Sequence, residues 1–117
     1  MTELNFLLAY DEDTGLDKTA ATIQSRLAGM EEVDEVEAKA QQMKVTGVEI
    51  AAAIGVTVLI VRGSRELVEE VRKLIVEIRK LKEEVGGPKE VYIDIGTRRV
   101  AVEKLSDQDI MEMIQLA

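Results

Sequence analysis

The run Val48-Glu49-Ile50-Ala51-Ala52-Ala53-Ile54-Gly55-Val56-Thr57-Val58-Leu59-Ile60-Val61-Arg62 sets the architecture, because it is the most apolar stretch of the chain and reads two ways. It shows no narrow apolar stripe, so it is buried widely whatever its type. The alanines at 51–53 and the length of the run favour helix. The β-branched residues Val56, Thr57, Val58, Ile60 and Val61 favour strand. The reading adopted is helix, with a strand over 56–62 as the alternative. The run is too short for a membrane span and contains Glu49.

On the N-terminal side, residues 4–10 (Leu-Asn-Phe-Leu-Leu-Ala-Tyr) read as a largely apolar strand, ended by residues 11–15. Leu16, Ala20, Ile23 and Leu27 then recur at helical spacing, which predicts a helix over 16–29 with Gly29 as its stop. Val36, Ala38 and Ala40 alternate with Glu35, Glu37 and Lys39, the period-two pattern of an edge-like strand over 33–40. Residues 41–47 form a polar connector.

On the C-terminal side, Gly63 breaks the apolar run and Ser64 can cap the next helix. Over 65–85, Leu67, Val71, Leu74, Ile78, Leu81 and Val85 recur at alternating steps of four and three, and Val68 and Ile75 widen the stripe. A short coiled coil has this period, but the wide stripe favours packing on a sheet. Glu69 with Lys73, Arg79 with Glu83 and Lys80 with Glu84 are charge pairs at helical reach. Gly86-Gly87-Pro88 ends the helix. Residues 89–103 read as a hairpin: Val91, Ile93 and Ile95 face one way, Tyr92 and Asp94 the other. Gly96-Thr97 suits a type II′ turn, with Gly at the first central position. Val100 and Val102 continue the apolar face; Arg99 and Glu103 lie on the polar one. Ser106 and Asp109 form a capping box for a final helix pinned by Ile110, Met113 and Ile114.

The order read is β-α-β-α-α-β-β-α. Four strands with helices folded on one face make an α+β chain, a two-layer α/β sandwich of ferredoxin-like shape and a single domain over 1–117.

Length and composition agree: 117 residues, 46% apolar and 32% charged, describe one globular domain. Acids outnumber bases by 23 to 15, a net charge of −8, which argues against nonspecific nucleic-acid binding. With only Phe6, Tyr10 and Tyr92 as aromatics, stacking platforms for single strands are missing too. There is no Cys and no His. Thiol nucleophiles, Cys/His zinc sites, haem ligation and Ser-His-Asp triads are thereby excluded. Glu3 and Asn5 stand where a signal peptide would be basic, so a cytoplasmic location is expected.

The acidic excess is local. Residues 1–37 carry ten acids and two bases, Lys18 and Arg26, whereas 38–117 carry thirteen of each. A solvated, solubilising face is the ordinary reading, and a contact for a basic partner is the sharper one. Asp11-Glu12-Asp13 and Glu31-Glu32 mark that candidate surface. Asp11-Glu12-Asp13 with Thr14-Gly15 lacks the spaced acids and terminal Glu of a calcium loop. Arg98-Arg99, at the hairpin tip, is the one local basic spot and a candidate carboxylate contact.

No GxxxxGK[ST] loop or GxGxxG turn is present. Ser25, Ser64 and Ser106 have no His to activate them; Ser64 and Ser106 are better explained as caps, with a Ser–Lys pair as the alternative. Glu31-Glu32, Glu69-Glu70 and Glu83-Glu84 are carboxylate pairs expected on solvated faces. Glu49 suits the first turn of a helix, with a buried functional carboxylate as the alternative.

Thr46-Gly47-Val48 through Arg79-Lys80-Leu81, then Glu90-Val91-Tyr92-Ile93-Asp94-Ile95-Gly96, Val100-Ala101-Val102-Glu103 and the ending over 109–117, resemble the effector-associated constant component family. The likeness covers roughly 46–117 and rests on hydrophobic pattern and one Gly. It implies an accessory role: such domains accompany effectors, including trypsin-like and caspase-like proteases, in bacterial conflict systems. The family has no catalytic residue set.

The functional expectation is a non-catalytic, cytoplasmic adaptor that binds a partner protein, a protease effector in the case the resemblance implies, in bacterial defence or signalling. No enzyme activity, cofactor, metal, nucleic acid or membrane is expected. Homodimerisation through the edge strand or the long helix is the further partner expectation. The alternative is a small-molecule-sensing regulatory domain of ferredoxin-like type.

Overall fold

The ambiguous apolar run is a strand. The computed structural model describes residues 2–11, 15–41, 52–60, 64–84 and 86–116. Its elements are β1 (Thr2–Tyr10), α1 (Leu16–Ala28), β2 (Glu35–Gln41), β3 (Ala52–Ile60), α2 (Ser64–Glu83), β4 (Glu90–Ile95), β5 (Arg98–Ala101), a 3₁₀ turn (Val102–Lys104) and α3 (Asp107–Leu116). The helix expected over 48–62 is therefore corrected, and with it the β-α-β-α-α-β-β-α order. Among the described residues there are five strands, not four. Glu49, Gly63 and positions 42–47 lie outside the described residues, as do the side chain of Ser64 and its expected cap.

The sheet order is β2-β3-β1-β4-β5, and every neighbouring pair is antiparallel. This order explains the misreading. β3 is paired on both edges, and Ala52, Ala53 and Ile54 are buried in succession, so the alternation that marks a half-exposed strand begins only at Gly55. The helix preference of alanine is worth only tenths of a kcal/mol per residue, and pairing on both edges overrides it.

α1 carries the chain from β1 past β3 to β2, and α2 carries it from β3 past β1 to β4. All three helices bury their apolar residues in one core. Leu4, Phe6, Leu8 and Tyr10 of β1, Ile54, Val56 and Val58 of β3 and Val91, Ile93 and Ile95 of β4 meet Leu16, Ile23 and Leu27 of α1, Val71, Leu74 and Ile78 of α2 and Ile110 and Met113 of α3. The expected stripe positions are buried on all three helices, with Val68 and Ile114 half-buried; Val85 lies outside the described residues.

The turns follow their residues. Gly96 has φ 59° and Thr97 has no positive φ, as a type II′ turn requires. The Ser106 N–H donates to Asp109 Oδ2 (3.0 Å) and the Asp109 N–H to Ser106 Oγ (3.2 Å), a closed capping box. Val102 and Glu103, expected in the hairpin, instead sit in the 3₁₀ turn, where Arg79 Nη2 donates to the Val102 carbonyl at 2.8 Å. The ion pairs of α2 also differ from those expected. Arg72 meets Glu69 and Lys80 meets Glu77 at i,i+3 within the helix, whereas Lys73 reaches Glu32 in the turn after α1, a carboxylate that helix spacing cannot show.

Candidate functional site: a trough on the sheet face

Successive strand side chains point to opposite faces. The helices cover the face of Leu4, Phe6 and Leu8, so the other face carries Asn5 and Leu7 of β1. Register places Lys39, Gly55, Leu7, Tyr92 and Ala101 in one row across it. The next row holds Glu37, Thr57 and Asn5, with Asp94 opposite Arg99 at its far side. Gly55 has no side chain, and the surface dips there into a trough of about 260 Å³ lined by Lys39, Gly55 and Leu7 of the first row and by the residues of the second.

The walls of the trough are two ion pairs. Lys39 Nζ lies 2.6 Å from Glu37 Oε1 on one side, and Arg99 Nε lies 2.9 Å from Asp94 Oδ1 on the other. Between them the Thr57 hydroxyl donates to Asn5 Oδ1 at 2.9 Å. The hydrogen bond to Glu37 raises the Lys39 ammonium above its ordinary pKa. Exposed pairs of this kind are held weakly in water, so an incoming group of either sign can exchange with them at little cost. Thr57 faces an amide oxygen and no base, which suits recognition and not bond making. Among the described residues no acidic cluster could hold a metal ion.

The residues singled out from sequence do not gather here. Asp11 is exposed at the C-terminal end of β1, 3.4 Å from Lys89. Glu12 and Asp13 lie outside the described residues. Glu31 and Glu32 occupy the turn between α1 and β2, at the opposite end of the sheet, where Glu32 meets Lys73 at 3.5 Å. The length of β1, about 30 Å, separates Asp11 from Glu31 and Glu32, so these described acids do not form one surface. Arg98 and Arg99 are also split. Arg98 reaches Glu112 (2.7 Å) and Asp109 (3.4 Å) of α3, while Arg99 turns to the other face and Asp94. The expected basic spot is thus two cations already engaged within the chain.

Sequence reasoning missed Asn5, Leu7, Gly55 and Thr57. A glycine inside a strand pattern is the one local signal for such a dip, and it is lost when the run is read as helix. It also misplaced Glu70, expected on a solvated face but only 6% exposed.

No protein-family model, no curated protein and no solved structure matches the chain.

Proposed function

We propose that the chain is a non-catalytic interaction module that docks a partner protein on this sheet face. The fold reading that goes with it is a ferredoxin-like two-layer sandwich. Its support is the β2-β3-β1-β4 order with α1 and α2 as crossovers, to which β5 and α3 are added. The observation that carries the function is the trough: a polar floor between two weakly held ion pairs, on a face where no described helix packs its core residues. A partner with both signs of charge and a small protruding side chain complements it. The resemblance to effector-associated constant components makes a cytoplasmic protease effector the partner to try first.

The test is co-purification with neighbouring gene products, using the native chain and Thr57→Arg. Thr57 is half-buried on the trough floor, so arginine there fills the dip. The expected result is a stoichiometric partner that Thr57→Arg releases while its melting temperature stays within a few degrees. A partner held equally by both chains, or turnover of a small substrate by the purified chain, overturns the proposal.

A further inference from the structure

A second recess lies on the helix side, between α1 and the C-terminal end of α2. It holds about 270 Å³, with Tyr10, Ile23 and Leu81 among its lining residues and Pro88 beside them. Its polar groups divide into spent and unspent. The Thr19 and Thr22 hydroxyls donate to the carbonyls of Gly15 (3.1 Å) and Lys18 (3.0 Å), which leaves them only lone pairs. Arg26 and Glu84 also line the cleft, but they are bound to each other, and Arg26 Nε is held by Glu77 at 2.9 Å. Arg26 is thus shared by two carboxylates and is not free for a ligand.

Two groups remain. Tyr10 packs its ring in the core, 9% exposed overall, and lines the cleft. Burial pushes the phenol up to about 12, so it stays a protonated donor at neutral pH. Lys18 stands on the rim, exposed, with no carboxylate partner among the described residues. A hydroxyl donor on the cleft wall and a cation with no carboxylate partner among the described residues, above an apolar base, are the complement of one chemistry. We propose that the cleft binds a small monocarboxylate, its carboxylate between the Tyr10 hydroxyl and Lys18 Nζ and its apolar body on Ile23, Leu81 and Pro88. Inorganic phosphate fits poorly, because two donors cannot replace the hydration of four oxygens and the apolar base gives it nothing. The cleft and the trough lie on opposite faces of the sheet, so the two proposals stand or fall separately.

The experiment uses the full chain with benzoate and 4-methylpentanoate as probes, and benzamide and inorganic phosphate as controls. Binding is read by thermal melting and by amide shifts in NMR titration; a ligand of the folded state raises the melting temperature. Both carboxylates are expected to saturate, with shifts centred on residues 10, 18–26 and 81–88, and the controls to have no such effect. Lys18→Gln should weaken binding at least tenfold, and more salt should weaken it in the native chain. Tyr10→Phe keeps the ring and its packing and should weaken binding about tenfold. Equal response to benzamide or phosphate, no saturation by either carboxylate, or undiminished affinity in Lys18→Gln overturns the proposal.

Discussion

Gly86 and Gly87 end α2 for different reasons, and replacing each by alanine separates them. Gly86 has φ 76°, and a Cβ there meets nothing within 4 Å. Gly86→Ala therefore carries only the backbone cost of a left-handed residue, about 1–2 kcal/mol. Gly87 has no such φ, but a Cβ built on it lies 2.0 Å from the Leu81 carbonyl oxygen and 3.0 Å from that of Glu84. Those oxygens belong to backbone at the end of the helix and cannot rotate away. The chain must shift by at least about 1 Å to restore an ordinary contact, which strains the Gly87 N–H···O bond to Glu84 (3.0 Å). Overpacking of about 2 kcal/mol and a lost hydrogen bond of about 1 kcal/mol together give about 3 kcal/mol. In a domain of this size that lowers the melting temperature by roughly 12 °C. Urea unfolding followed by far-ultraviolet circular dichroism, with unchanged m-values, is the assay. Gly87→Ala as stable as Gly86→Ala, or within about 0.5 kcal/mol of the native chain, would refute the steric account.

Arg26 holds the Glu77 carboxyl below its usual pKa through their hydrogen bond. A depressed carboxyl pKa contributes stability that is complete above the unfolded value and lost as pH falls through the folded one. Stability should therefore hold from pH 7 to 5 and fall below about pH 4.5, and Arg26→Met should lose about 1 kcal/mol at pH 7 and flatten that fall. Gln24 Oε1 accepts the Ala38 N–H of edge strand β2 at 3.0 Å. Gln24→Ala should cost about 1 kcal/mol and speed hydrogen exchange at the Ala38 amide first. It should also promote self-association through β2 in light scattering; a chain that stays monodisperse with Ala38 still protected contradicts that role.

What the sequence shows and hides follows from where each signal resides. The stripe Leu67, Val71, Leu74, Ile78 and Leu81, the Ser106–Asp109 box and the Gly96 turn are local, and each appears where expected. β2 reads correctly because one of its faces is wet, so Glu35, Glu37 and Lys39 alternate with Val36, Ala38 and Ala40. β3 is harder to read because Ala52, Ala53 and Ile54 are buried in succession and its half-exposed positions, Gly55, Thr57 and Leu59, include no charged residue, while three alanines point to helix. The trough is harder still. Asn5, Thr57 and Arg99 become neighbours only through strand register, which pairs residues about fifty and ninety positions apart and leaves no mark on either stretch alone. The Tyr10 cleft has the same origin: Lys18 and Pro88 meet only after two crossovers.

The central position of β1 also shapes how the chain reaches this state. Phe6 pairs with Val56 on one edge and Ile93 on the other, so the first strand made waits for partners fifty and eighty-seven residues later. Both ladders close long loops before any pairing repays the entropy, which places the domain among slower folders of its size. On the ribosome β1 leaves the exit tunnel with Leu4, Phe6, Leu7 and Leu8 unpaired, and it stays exposed until β3 follows. Synthesis at about 5–20 residues per second makes that interval several seconds, the period in which the nascent chain is open to chaperones and to aggregation.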